Sequence, residues 1–275
     1  AHNDARVDNY FWLNNKNDEN VINYLNTENK YTKQVLKKTE DLQKELFGEM
    51  KSRIKKDDMS VPYFFNEYWY IKRFEKGKDY PIYTRKYKSL ENEEEILIDV
   101  NKLAKKYKYY NIGGLSISPN NKILAFSFDT LSRRLYSIKF LNLESRKYYK
   151  ETIQNTTGSI TWANDNKTVF YSKKEDITLR VNKIFRHEIN SESKKDILVY
   201  EEKDDEFSTG ISKTKSQDYL IIYSRSTLSS EIRYLNSNKP KEKFKLFLKR
   251  EDNHEYSISH CGDHGYLMTN TKTAK

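Results

Sequence analysis

LSISPNNKILAFSFDT at 115–130 and ITWANDNKTVFYSKKE at 160–175 line up position for position. In each, an apolar strand runs into a polar turn and then into a second apolar strand. Ser118-Pro119-Asn120-Asn121 and Asn164-Asp165-Asn166 supply the turn chemistry. Looser copies follow in ISKTKSQDYLIIYSRS from Ile211 and ISHCGDHGYLMTN from Ile258. With Ile117, Trp162, Ile211 and Ile258 taken as equivalent, the steps are 45, 49 and 47 residues. A further strand follows the pair, as in Tyr136-Ser137-Ile138-Lys139-Phe140 or Lys183-Ile184-Phe185. An earlier β segment, VPYFFNEYWYIKRF, precedes the series by a comparable interval. Repeats of ~40–50 residues with about four strands each predict β-propeller blades.

Outward toward the C-terminus, roughly 215 residues after Pro62 hold between four and five such units. The last apolar run, Tyr266 to Asn270, falls in the middle of a unit. Propellers bury their blade faces by closing into a ring, and an unclosed arc leaves an edge strand in water. The pattern therefore predicts that position 275 is a truncation point. Pairing of a second copy along the exposed edge strand and partial disorder of the leader are the two alternatives for how such a piece avoids aggregation.

Outward toward the N-terminus the pattern changes to helix. From Asp18 to about Lys56 the only Gly or Pro is Gly48, and Leu42, Leu46, Met50 and Ile54 form a stripe with Phe47 beside it. Val21, Ile22, Leu25, Val35 and Leu36 predict an earlier helix with Asp18 as its N-cap. The aromatic cluster Tyr10-Phe11-Trp12-Leu13 is expected to be buried. The fold class is thus mainly β: an α-helical leader over 1–60, then a partial β-propeller of about four to five blades over 61–275.

Composition narrows the function classes. The net charge is +10, yet runs such as KEDLQKELFGEMKSRIKK and EEKDDEF mix both signs, and the excess is mostly Lys. That is the pattern of a solvated surface and argues against nucleic acid as a partner. No apolar run approaches the ~18 residues of a membrane span, so no membrane partner is expected. The lone Cys261 allows no internal disulfide, which fits a reducing compartment, the cytoplasm before the periplasm.

Longer strings carry a resemblance. DARVDNYFWL at 4–13, DDMSVPYF at 57–64 and YWYIKRFEKGKDYPIYTRK at 68–86 resemble the opening of the oligopeptidase B enzymes, in the prolyl oligopeptidase family of serine peptidases. The likeness continues through LIDVNKLA, GGLSISPNNKILAFSFDTLSRRLYSIKF and LVYEEKDDEF to SSEIRYL and REDNHEYSISHCGD. It implies a seven-bladed propeller set as a lid over an α/β-hydrolase domain, with the Ser-Asp-His triad C-terminal to the propeller. It further implies cleavage of short peptides after Arg or Lys, no cofactor, and a leader that packs on the hydrolase. The partners it implies are peptide substrates and that missing C-terminal domain.

The residues themselves offer little catalytic chemistry. A nucleophile elbow needs G-x-S-x-G between strand and helix. Gly113-Gly114-Leu115-Ser116-Ile117-Ser118 lacks the second Gly and reads as a glycine turn before a blade strand. No Gly-rich phosphate loop occurs. His254, His260, Cys261, Asp263 and His264 include metal-ligand types, but their spacing fits no closed zinc site. His187 and Cys261 read as structural.

Four residues remain as candidates. The adjacent pair Arg133 and Arg134 follows a strand, where alternation sends one side chain toward a propeller channel. There it would steer a peptide carboxylate or form an interdomain ion pair; the competing reading is a surface salt bridge. Asp57 and Asp58 read as a hinge between leader and first blade, or as plain linker. A charge of +10 sits awkwardly with a preference for cationic substrates, so acidic specificity groups are expected elsewhere in the parent protein. The rival to the peptidase reading is a non-catalytic propeller scaffold that binds another protein.

Overall fold

The computed structural model describes residues 5–271. Asp4 of the leader motif and the last four positions of the 61–275 segment lie outside them. The chain divides into two compact units, 1–56 and 57–275.

The first unit holds α1 (Glu19–Leu36) and α2 (Glu40–Ser52), with a short 3₁₀ turn on either side of α1. The Asp18 carboxylate accepts the Asn20 N–H at 2.9 Å and caps α1 as expected. The α2 stripe forms, but Leu42, Leu46, Phe47 and Met50 are exposed, and Ile54 lies past the helix end. Tyr10, Phe11 and Trp12 are exposed as well, contrary to the expected burial. Trp12 meets the edge of Tyr24, with ring centroids 5.5 Å apart. Two helices carry more apolar surface than they can cover between themselves.

The second unit is an arc of four-stranded antiparallel sheets, each in simple sequence order. Blade 1 comprises β1 (Tyr63–Phe65), β2 (Tyr68–Arg73), β3 (Ile82–Tyr87) and β4 (Glu94–Asp99). After α3 (Val100–Ala104), blade 2 comprises β5 (Asn111–Ile117), β6 (Ile123–Asp129), β7 (Tyr136–Asn142) and β8 (Ile153–Thr156). Blade 3 comprises β9 (Ile160–Trp162), β10 (Thr168–Lys174), β11 (Val181–Glu188) and β12 (Ile197–Glu201). Blade 4 comprises β13 (Ser208–Lys213), β14 (Tyr219–Arg225), β15 (Ser230–Asn236) and β16 (Lys245–Leu246). A two-stranded hairpin, β17 (Tyr256–Cys261) and β18 (His264–Thr269), follows.

Side-chain alternation explains why the second strands read as unbroken apolar runs. In β6, Leu124 and Phe126 face blade 1, whereas Ile123 and Ala125 face blade 3. In β10, Val169 and Tyr171 pack toward blade 2 and Phe170 toward blade 4. In β14, Leu220 and Ile222 pack toward blade 3 and Ile221 toward the last hairpin. A strand covered on both faces has no polar side to show.

The turns between first and second strands are built alike. Ser118, Ala163 and Thr214 each donate their N–H to the carbonyl five residues on, at 2.9, 2.9 and 2.8 Å. Three residues into each turn stands a positive φ, at Asn121, Asn166 and Gln217. This fixes the register of the repeat: the residues before the turns are Ile117, Trp162 and Lys213, with steps of 45 and 51 residues. Ile211, read above as the third equivalent, lies two positions short of it.

Gly113 and Gly114 are not in a turn. They lie within β5, where the pairing with β6 shifts register between Ile112 and Gly114. A Cβ on Gly113 would stand 2.6 Å from the Tyr136 ring. Gly158, in the link between blades 2 and 3, has φ +94° and its carbonyl accepts the Ser127 hydroxyl at 2.8 Å. A Cβ there would sit 3.0 Å from Tyr136 Cδ2. Gly158→Ala therefore combines backbone strain with crowding and should cost about 1–3 kcal/mol. Urea denaturation followed by tryptophan fluorescence measures it, and an unchanged midpoint would overturn the argument.

Candidate functional site

The first strands of the four blades line up along the inner side of the arc and wall a groove of about 1070 Å³. β1 and β2 contribute Tyr63, Phe65 and Tyr70; β5 contributes Gly114 and Ile117; β9 contributes Trp162; β13 contributes Ile211 and Lys213. Gly114 leaves room because a Cβ would meet the Gly158 carbonyl at 2.9 Å. Trp162 is buried and donates its indole N–H to the Ser116 carbonyl at 3.1 Å, locking the inner strands of blades 2 and 3 together.

The blade 1 wall is aromatic. Tyr63 stacks on Tyr70 at 5.1 Å, and the Arg85 guanidinium lies 4.0 Å from the Tyr68 ring centroid. Burial pushes the Tyr70 phenol up to about 12 against the opposing pull of Arg85. Arg85 itself bonds Glu95 at 2.6 Å and the Asn121 carbonyl at 3.1 Å, which joins blade 1 to the turn of blade 2.

Of the two lysines that line the groove, Lys72 is exposed and Lys213 is the more buried charge. It stands where the two preceding blades carry Ile117 and Trp162, and is partly buried. Its ammonium donates to Asn164 Oδ1. The Asn164 amide is held in that orientation by its own N–H donations to the Gln217 carbonyl at 3.2 Å and Asn238 Oδ1 at 3.0 Å. Desolvation lowers the Lys213 pKa to about 8, with Asp165 and Asp218 pulling the other way.

Among the described residues lining the groove there is no Asp, Glu, His or Cys. Its serines therefore have no carboxylate or imidazole base beside them, and the wall is suited to binding and filtering chain segments.

The four residues singled out by sequence lie elsewhere. Arg133 and Arg134 are exposed on the loop joining β6 to β7, with Arg134 at φ 55°, and neither lines the groove. Strand alternation does not apply to them, because the Asp129 carboxylate ends the strand by accepting the Leu131 and Arg134 N–H groups, each at 2.8 Å. Asp57 and Asp58 open the second unit. The Asp57 carboxylate accepts the Lys76 N–H and the Asp58 carbonyl accepts the Phe74 N–H, both at 2.7 Å. Sequence reasoning missed Lys213; an alignment on the turn residues 214–218 would have placed it opposite Ile117 and Trp162.

The polar residues near the C-terminal hairpin have separate partners. His260 Nδ1 meets the Ser216 hydroxyl at 2.9 Å and His254 Nε2 meets the Thr269 hydroxyl at 2.9 Å, while Cys261 pairs across the strands with His264. Among the described residues no cluster of three or more such side chains is arranged to hold a metal, and no helix is long and apolar enough to cross a membrane.

Comparison with known proteins gives a consistent frame. The family model described as "Prolyl oligopeptidase, N-terminal beta-propeller domain" matches residues 1–275. Dipeptidyl aminopeptidase BI of Pseudoxanthomonas mexicana is 36% identical over 99% of the chain, and Protease 2 of Moraxella lacunata 28% identical over 98%. Each match covers 40% of the relative, so the chain spans about 40% of the length of these curated relatives. The structure of oligopeptidase B from Leishmania major superposes with TM-score 0.90 at 30% identity, covering 97% of this chain and 38% of that one.

Proposed function

The chain belongs to the prolyl oligopeptidase family as its N-terminal β-propeller domain, and from that premise we propose that it is the substrate-filtering part of a serine oligopeptidase. In this reading the parent protein hydrolyses short peptides through an acyl-enzyme. The nucleophile, base and oxyanion hole belong to a hydrolase domain outside these residues. The chain admits peptides along its inner groove and turns over nothing by itself. The observation that carries this is the groove: roomy, walled largely by aromatic and backbone groups, and without a carboxylate, imidazole or thiol among its described lining residues. Its volume matches the ~300–1,000 Å³ of sites that enclose small ligands, which suits a short extended peptide and not a folded protein.

The proposal assigns Arg133 and Arg134 to the exposed rim, where they would meet the hydrolase, and Asp57 and Asp58 to the hinge between leader and propeller. The Arg/Lys preference implied by the resemblance finds no carboxylate in the groove, so its acidic groups would lie in the hydrolase. A cytoplasmic location and edge pairing between copies along β18 belong to the same reading.

A fluorophosphonate probe tests it. The parent protein should be labelled on a serine outside residues 1–275, and should cleave peptides with a rate that falls steeply with substrate length. Residues 1–275 alone should show neither labelling nor turnover of a Lys or Arg ester. Labelling of this chain would refute the division of labour; an unlabelled parent would leave a binding scaffold.

A further inference from the structure

We propose that Lys213 is a carboxylate receptor inside the propeller groove, so that the peptide that enters is held there by a negative group, its C-terminal carboxylate or an acidic side chain. The inference rests on the reading of the groove as a peptide path and adds the chemistry that the path selects.

Three observations converge on it. First, the position: the inner-strand residue before the turn is Ile117 in blade 2 and Trp162 in blade 3, both apolar and both lining the groove. An apolar side chain satisfies the fold there, so folding does not require a lysine at this point. Second, the bonding: an ammonium has three N–H donors, and among the described residues the Lys213 ammonium makes one hydrogen bond, to Asn164 Oδ1. The other two donors have no hydrogen-bond partner among the described residues, and Lys213 lines the groove. Third, the charge balance: no carboxylate among the described residues comes within ion-pair distance of Lys213, although 40 Asp and Glu are spread over the chain. The two nearby acids are engaged elsewhere. Asp165 accepts the Lys167 and Thr168 N–H groups at 3.0 and 2.8 Å and the Thr168 hydroxyl at 2.7 Å. Asp218 faces His260 Nδ1 at 3.4 Å.

A half-buried cation with an unfilled shell in a groove whose described lining carries no acid offers a carboxylate a charge-assisted bond that water screens poorly. Asn164 adds to this: its oxygen fixes the ammonium, while its own N–H groups are consumed by Gln217 and Asn238, so it cannot compete for the incoming anion. Selection of acidic or C-terminal groups here is compatible with selection of a cationic side chain at a separate hydrolytic centre.

The test is calorimetric binding of a five-residue peptide to the full-length parent protein, its serine blocked by fluorophosphonate so that no turnover intervenes. Four peptides separate the sources of the anion: free acid and C-terminal amide, and amides carrying Glu or Gln internally. The wild-type protein should bind at least one carboxylate peptide about tenfold more tightly than its neutral partner. Lys213→Met should abolish that ratio while leaving the neutral peptide's affinity within about twofold, and Lys213→Arg should keep it. The preference should also fade as pH rises through and beyond about 8, where free Lys213 loses its proton, but persist in Lys213→Arg. An unchanged ratio in Lys213→Met, or no carboxylate preference in the wild type, overturns the assignment. If the parent takes no fluorophosphonate label, the peptidase reading fails, while the four-peptide comparison still decides the role of Lys213.

Discussion

A His187→Ala variant should lose about 3–5 kcal/mol of stability, a large share of what holds a domain of this size together. His187 is fully buried, and its Nδ1 lies 2.7 Å from Asp196 Oδ1, a carboxylate whose side chain is 2% exposed. Tyr171 closes the group by donating its hydroxyl to Asp196 Oδ2 at 2.8 Å. Burial and the adjacent carboxylate hold that phenol above its ordinary range. The His187 ring also stacks on Phe140 of blade 2, at 5.5 Å and nearly parallel, so the network is sealed inside the interface between blades 2 and 3. Truncation leaves an unpaired carboxylate and a cavity together, and both terms act in one direction. Replacing the pair by neutral groups separates them: His187→Phe with Asp196→Asn keeps the volume and an acceptor for Tyr171. The double variant should recover at least half of the loss in urea denaturation. A loss below about 1 kcal/mol in His187→Ala, or a double variant no better than the single, would show that the network contributes little.

Much of the fold could be read from the second strand of each blade. ILAFSF in β6 and TVFYS in β10 are covered on both faces, so burial wrote itself into the sequence as continuous apolar runs. The outer strands left no such mark. β4, over EEILID, buries only Leu97 and Ile98 and otherwise carries acidic residues, β12, over ILVYE, has no buried residue, and β16 is only two residues long. A strand that packs on one side at a sheet edge has a weak alternation that ion pairs such as Lys183–Glu201 obscure.

The candidate site was harder to read for a specific reason. Shifting a strand alignment by two residues keeps every side chain on its face. Taking Ile211 in place of Lys213 as the third equivalent therefore preserved the hydrophobic pattern and hid the one charged residue in the series. Only the turn geometry, with the Thr214 N–H bonded to the Tyr219 carbonyl, breaks that degeneracy. Arg133 and Arg134 attracted notice as a pair for the opposite reason. Their adjacency is visible in sequence, whereas the Asp129 turn that lifts them out of strand geometry is a matter of hydrogen bonds.

The second large effect concerns the other end of the arc. Arg250 lies in the link between blade 4 and the last hairpin. Its guanidinium sits 3.6 Å from the Phe207 ring centroid and bonds Glu202 at 2.6 Å, with Asp204 at 3.3 Å and Glu231 at 3.8 Å. Glu202 is 4% exposed. Burial alone would raise its pKa, but bonds from Arg250, Tyr200 and the Asp204 N–H outweigh that and bring it below the usual carboxylate range. Arg250→Ala should cost about 3 kcal/mol, the lower end for a broken buried pair because the Arg250 side chain is still 23% open to water. For a unit of this length that lowers Tm by about 6–12 °C. The pH dependence has a definite sign. A carboxyl whose folded pKa is depressed stabilises the fold above its unfolded value, and that stability is lost as pH falls through the folded one. The wild type should therefore weaken below about pH 4.5, and Arg250→Ala should show a shallower acid slope because much of the depression is gone. Blades interact chiefly with their neighbours, so the damage should be local. Amide exchange should quicken in β13–β18 and in loop 202–207 while β5–β8 keep their protection. A uniform rise across all blades would mean that the arc unfolds as one cooperative body, and an unchanged acid slope would mean that Glu202 is not the group that titrates.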